Sequence, residues 1–193
     1  MLSENNNYHT IVIGTSAGGL HALSTVLEKL PPNYPFPVIV VQHRSKDHKE
    51  LLEEVLQGKC RIKIKQADEK EKIEGGIVYI APPDYHLLVE TDRTFSLSSD
   101  IEILYSRPSI DVLFESAAIA YKNELTGIIL TGSNNDGASG IAAIKENGGT
   151  TIAQNPLEAE YSRMPKASIE TKSVDYIWTL TEIYTYLLNL MER

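Results

Sequence analysis

Short runs of apolar, mostly β-branched residues alternate along this chain with stretches whose apolar residues recur at helical spacing. That alternation leaves few folds open. Thr10-Ile11-Val12-Ile13-Gly14 is followed by Leu20, Leu23, Val26, Leu27 and Leu30, which stop at Pro31-Pro32. Pro37-Val38-Ile39-Val40-Val41-Gln42 is followed by a helical pattern over residues 48–56 and a short strand at Ile62-Lys63-Ile64. Runs that are apolar at every position belong to strands buried on both faces, as in a parallel sheet covered by helices. Strand–helix–strand units of this length close with right-handed crossovers.

The middle of the chain reads differently. Residues 78–81, 85–90 and 95–98 are three short strands, and Asp92-Arg93 between the last two marks a hairpin. The βα alternation then resumes. Helices are expected over residues 108–122, 138–147, 165–171 and 181–191, with Thr181 as the N-cap of the last. Strands are expected over 125–130, 150–153 and 174–178. The predicted fold class is α/β, a three-layer α/β/α domain with a mainly parallel, Rossmann-like sheet and one antiparallel edge hairpin. Residues 1–8, polar with three consecutive asparagines, read as a short disordered arm before a single domain over 9–193.

Charge and cysteine usage exclude several functions. Against 26 acidic residues stand 18 basic ones, a net −8 that disfavours nucleic acid and anionic membranes as partners. The single cysteine, Cys60, permits neither an internal disulfide nor a cysteine-built metal site. The N-terminal residues lack the apolar core of a signal peptide, and apolar runs such as residues 38–41 are far too short to span a bilayer. A cytoplasmic enzyme or binding module, with no membrane insertion, is the expectation.

Gly14-Thr15-Ser16-Ala17-Gly18-Gly19 links the first strand to the first helix. It lacks the second glycine of a dinucleotide fingerprint, since Ser16 stands there, and it lacks the lysine of a phosphate loop. It does match G-x-S-x-G, a strand–turn–helix that holds a serine hydroxyl on a sharp bend. The helix start beyond it offers free N–H groups to an oxyanion. An ordinary strand-to-helix turn or a plain anion site fits the same pattern.

A nucleophilic serine needs a base, and five histidines compete. His9 lies at the wrong end of its strand, His21 and His48 fall in helical patterns, and His86 belongs to the hairpin region. His43 ends the second strand, where side chains of neighbouring parallel strands converge about 4.8 Å apart. A strand-end histidine satisfied by backbone is the bland alternative. Asp136, in Thr131-Gly132-Ser133-Asn134-Asn135-Asp136-Gly137, follows another apolar strand and is the candidate orienter of the base, with helix capping as its ordinary role and Asp84 as its competitor. The order Ser16, His43, Asp136 differs from the Ser, Asp, His order of α/β-hydrolases.

With these residues in place, the chain resembles the catalytic domain of the chemotaxis protein-glutamate methylesterase (CheB) family. The similarity rests on residues 13–19, Val41-Gln42-His43, residues 78–82, Arg107-Pro108-Ser109-Ile110-Asp111, Leu130-Thr131-Gly132 with Asp136-Gly137-Ala138, Ala153-Gln154-Asn155 and Met164-Pro165, in family order. The resemblance implies Ser16 as nucleophile, His43 as base and Asp136 as acid. It implies hydrolysis of glutamyl methyl esters on the cytoplasmic helices of chemoreceptors, releasing methanol, and deamidation of receptor glutamines in related enzymes. No metal or organic cofactor is implied.

The chain also departs from the family. Ala17 replaces a threonine, and Ser133 and Asn134 replace a methionine and a glycine. The methionine's backbone N–H serves the oxyanion in the family, a part that passes to Ser133, with Ala17 at the turn. Arg44 stands where methionine is common, and Arg44 with Lys46 is the expected docking patch for acidic receptor helices. No receiver domain is visible, so a separate regulator or fused domains outside this chain are further expected partners. A catalytically weak binding module of the same fold and a nucleotide-binding α/β domain are the rival readings. Serine-directed labelling and a nucleotide-induced thermal shift would separate them.

Overall fold

The computed structural model describes residues 9–43 and 52–192. Seven strands form one all-parallel sheet in the order β3-β4-β2-β1-β7-β8-β9. They are β1 (Thr10–Thr15), β2 (Val38–Gln42), β3 (Lys63–Gln66), β4 (Ile77–Ile80), β7 (Leu125–Ile129), β8 (Thr150–Gln154) and β9 (Tyr176–Trp178). The helices are α1 (Gly19–Leu27), α2 (Leu52–Gln57), α3 (Ile110–Tyr121), α4 (Ala138–Glu146), α5 (Arg163–Glu170) and α6 (Leu180–Asn189).

The central strands are apolar throughout because both faces are covered. Ile11, Ile13, Val38, Val40, Val78 and Ile80 point into one core with Leu23 and Val26 of α1, Leu56 of α2, and Ile183 and Leu187 of α6. Val12, Ile39, Val41, Tyr79 and Ile129 point into a second core with Leu113 and Phe114 of α3, Ile141 and Ile144 of α4, and Met164 of α5. Period-two alternation thus sends successive residues of one strand into opposite layers. Each fully buried Val, Leu or Ile stabilises the fold by about 1.5–3 kcal/mol.

The antiparallel element is a sheet of its own. β5 (His86–Val89) pairs with β6 (Phe95–Ser98), with His86 opposite Ser98. Rather than extending the main sheet, whose edges are β3 and β9, the hairpin packs against α3. Leu87, Val89 and Phe95 supply the reason, since they bury themselves in the second core. The start of α6 also differs from the expectation. Thr179, not Thr181, is the N-cap, and Glu182 returns the bond in a capping box. Thr179-x-x-Glu182 has the spacing that lets both side chains reach, and Thr181 has no such partner three residues on.

Candidate active site

The chain leaves β1 through α1 to reach β2 on one side, and β7 arrives later on the other. In parallel sheets the carboxyl ends flanking such a reversal open a crevice. Thr15 is in register with Gln42 and Gly14 with Ile129, so the residues just beyond them share that rim. The ladder continues one step on each side: His43 N–H donates to Thr15 O at 3.0 Å, and Ser16 N–H donates to Thr131 O at 3.0 Å. Ser16 is therefore flanked by His43 and by the loop carrying Asp136.

Three devices hold the serine turn. Gly18 takes φ 77° at the head of α1, and a Cβ there would stand 2.9 Å from Glu160 Oε2 and 3.0 Å from Thr131 Oγ1. Only glycine combines that left-handed conformation with that clearance. Gln42 is the second device. Its Nε2 donates to Ser16 O at 2.8 Å and to His43 O at 2.9 Å, clamping the two strand ends to each other. Thr131 braces the turn from the other side, its hydroxyl donating to Ala17 O at 2.9 Å. Among the described residues the N–H groups of Ala17, Gly18 and Ser133 donate to no protein acceptor, which leaves them to an oxyanion.

The Asp136 carboxylate is fully buried and accepts four hydrogen bonds. Oδ2 takes His43 Nε2 at 2.7 Å and Ile110 N–H at 2.7 Å. Oδ1 takes Ser109 Oγ at 2.9 Å and Asp111 N–H at 3.0 Å. Three of the donors belong to the head of α3, where unpaired N–H groups and the helix dipole favour negative charge. Burial pushes the carboxyl upward, but His43 and the Ile110 and Asp111 amides outweigh it and hold Asp136 below the usual carboxylate range. A charged Asp136 fixes the His43 ring with Nε2–H toward it, leaving Nδ1 as the basic nitrogen. Asn134 Nδ2 lies 3.3 Å from that Nδ1.

Asp111 is a second buried carboxylate beside the first. Its Oδ1 accepts Gly137 N–H at 2.9 Å and Gly140 N–H at 2.8 Å, capping α4. Burial raises its pKa to about 6, with the Asp136 charge adding to the rise and the Gly140 and Gly137 amides opposing it. The stability Asp111 contributes is thus present below its ordinary value of 3.8 and is lost as pH rises through about 6. Asp111→Asn keeps an acceptor for both amides and removes the charge. We expect it to be more stable than wild type at pH 7 by about 1–2 kcal/mol. Its denaturation midpoint should decline less between pH 4 and 7. Equal midpoints at every pH would mean that Asp111 titrates alike in folded and unfolded chains.

The remaining candidates separate cleanly. Asp84 is engaged by Arg107, with Nη2 at 2.6 Å and Nε at 3.1 Å from its Oδ1. His9 bonds Thr126 Oγ1 at 2.8 Å, at the opposite end of β1. His21 lies on α1, in the lining of an open cavity of about 270 Å³ that Glu158 and Glu160 also line. Arg44, Lys46 and His48 lie outside the described residues. His86 is buried and bridges Ser109 N–H, on its Nδ1 at 3.1 Å, to Ile101 O, on its Nε2 at 3.0 Å. It therefore supports the residue that supports Asp136. In the sequence Gln42, Ser109 and Asp111 stand out only as members of longer motifs. Their polar character inside otherwise apolar or helical runs was the available signal of a structural partner.

Among the described residues, no three His, Cys, Asp or Glu side chains are placed to hold a metal ion, and no helix is long and apolar enough to cross a membrane.

Fold and crevice together define a parallel-sheet α/β domain with a histidine–aspartate pair and a serine on the rim where the strand order reverses. A family model described as CheB methylesterase matches residues 11–187. A putative protein-glutamate methylesterase/protein-glutamine glutaminase of Leptospira interrogans is 50% identical over 184 residues, 95% of each chain. A protein-glutamate methylesterase/protein-glutamine glutaminase of Thermotoga maritima is 34% identical, over 94% of this chain and 54% of the relative. The crystal structure of the Thermotoga maritima CheB methylesterase catalytic domain superposes with a TM-score of 0.91 at 34% identity, covering 95% of this chain and 98% of that one. The chain belongs to the CheB methylesterase family.

Proposed function

We propose that this chain is a serine hydrolase that removes methyl groups from glutamyl methyl esters on chemoreceptor helices, releasing methanol, and that it deamidates receptor glutamines by the same route. The observation that carries the reading is the 2.7 Å contact between His43 and a buried, ionised Asp136, on the rim that also holds Ser16. The names of the relatives at 50% and 34% identity support the substrate class.

The mechanism follows from the roles. Ser16 Oγ attacks the ester carbonyl while His43 Nδ1 takes its proton. Asp136 keeps Nε2–H in place and stabilises the imidazolium. The N–H groups of Ala17, Gly18 and Ser133 receive the tetrahedral oxyanion, and losing one such donor typically costs about 3–4 kcal/mol. Nδ1–H then protonates the departing methoxide, or the amide nitrogen of a glutamine, which leaves as ammonia. Water, activated by the restored base, hydrolyses the acyl-serine.

Incubation with membranes bearing methyl-labelled receptors tests this directly. Labelled methanol is the expected product, and intact label after prolonged incubation with folded protein would overturn the assignment. Docking is proposed to use Arg44 and Lys46, cations next to His43 in an acidic chain. Arg44→Glu should lower turnover on receptor membranes far more than on a small soluble ester, by about tenfold at low salt. The gap should shrink as salt screens the pair. Equal losses on both substrates would move Arg44 into the chemistry, and no loss would remove it from docking.

A further inference from the structure

The atom that must accept the Ser16 proton is already occupied. Asn134 sits in the β7–α4 loop, where its Oδ1 accepts Asp136 N–H at 3.1 Å. That bond settles which way the amide points, because the reverse orientation would set NH2 against N–H. Nδ2 therefore faces His43 Nδ1 at 3.3 Å. An amide NH2 only donates, so Nδ1 receives it through its lone pair. The other ring nitrogen carries its hydrogen to Asp136 Oδ2 at 2.7 Å. Both nitrogens of the base are thus engaged, and among the described residues Ser16 Oγ makes no hydrogen bond.

We propose that Asn134 is a latch on the catalytic base. It is a positioning residue that selects the base-competent tautomer of His43 and holds its lone pair until a bound substrate displaces the amide. This inference rests on the reading of Ser16, His43 and Asp136 as the reacting set. Both halves follow from the same contact. A donor at Nδ1 favours the tautomer with hydrogen on Nε2, the one Asp136 also favours. The same donor competes with the Ser16 hydroxyl for a single lone pair. Once the serine proton reaches Nδ1, the ring N–H and the amide NH2 face each other, so the amide must withdraw for the intermediate to form. At 3.3 Å the bond is at the long end of the range and yields readily. The Asx turn to Asp136 holds the amide in place and returns it after each turnover.

Two variants separate a latch from a loop brace. Asn134→Gly removes the donor. Asn134→Asp keeps the size and the Asx-turn acceptor but presents an oxygen to Nδ1, which demands a hydrogen there. The wild type and both variants are compared in p-nitrophenyl acetate hydrolysis, in fluorophosphonate labelling of Ser16, and in 15N spectra of the His43 ring.

The glycine variant is expected to acylate about 2- to 10-fold faster, the effect of one neutral hydrogen bond, with KM nearly unchanged. The aspartate variant is expected to be slower by about tenfold or more, with its Nδ1 resonance moved from the unprotonated to the protonated position. Three proteins with the same Nδ1 resonance, and a glycine variant slower than wild type, would reduce Asn134 to a loop brace and overturn the proposal. Ser16→Ala in the same panel keeps the underlying reading separate. Full ester hydrolysis by that variant overturns the catalytic reading, while the 15N spectra still decide whether Asn134 sets the tautomer.

Discussion

Ser16→Ala is expected to abolish hydrolysis of both receptor methyl esters and small esters while leaving the fold intact. The turn around Ser16 is held by backbone and by neighbours, not by its hydroxyl. Gln42 and Thr131 bond the carbonyls of Ser16 and Ala17, and Ser16 N–H reaches Thr131 O. Removing Oγ deletes the nucleophile without disturbing any of these. Losses of about 10⁴-fold or more are typical when a serine nucleophile is removed from such a set, with the residue of activity coming from oxyanion stabilisation and binding. Circular dichroism and ester turnover on the purified variant decide it. Activity within a few-fold of wild type would show that the nucleophile lies elsewhere. His43→Gln should fall by a comparable factor, whereas replacing His21 should leave turnover near wild type, because His21 lies on α1 and takes no part in the His43–Asp136 contact.

Asp136→Ala should have an effect of similar size on turnover and a second effect that Ser16→Ala lacks. It strands four buried or half-buried donors at once: His43 Nε2, Ser109 Oγ, and the Ile110 and Asp111 amides. Unpaired buried donors each cost about 1–3 kcal/mol, so the four together put the expected loss of stability at about 4 kcal/mol or more. Asp136→Asn separates the two effects. It retains the shape and one acceptor oxygen, so the fold should survive. Turnover should still drop by about 10⁴-fold because the ring loses the charge that fixes its tautomer and steadies the imidazolium. Urea denaturation and ester kinetics on both variants make the comparison. A fully active Asn variant would remove Asp136 from the chemistry and leave it as a cap on α3 alone.

The His43–Asp136 pair explains why the Asp136 charge survives burial. An isolated buried carboxylate would neutralise itself, but here a helix start supplies its N–H groups and serine supplies a hydroxyl. Asp111, in the first turn of that same helix, is shifted the other way. Burial, with Asp136 as a like-charged neighbour, drives its carboxyl up to about 6 against the two α4 amides that favour the charge. The two carboxylates thus have different environments although the same helix start holds both.

Much of this was legible along the chain. The layered α/β class followed from runs such as Val38-Ile39-Val40-Val41, because a strand buried on both faces needs apolar residues at consecutive positions. The serine turn was legible because Gly14, Gly18 and Gly19 bracket Ser16 at the seam between two periodicities. These are local properties, set by the 2.0 and 3.6 residue periods and by backbone sterics. Residues close in sequence carry them, so the sequence alone determined them.

Only the tertiary structure decided which rim residues meet. Asp136 rather than Asp84 reaches His43 because β7 lies beside β1, while Asp84 is taken by Arg107. The head of α3 comes under Asp136 because α3 packs on α4, and no spacing within the chain encodes that contact between residues about 25 positions apart. The hairpin lies over α3 rather than at the sheet edge because Leu87, Val89 and Phe95 find a core there. Gln42, His86 and Asn134 each carry a hydrogen-bonding role that depends on a partner brought close by strand order and helix packing. Long-range burial fixes that order collectively, so a polar side chain's partner is set by the whole fold and not by its neighbours in sequence.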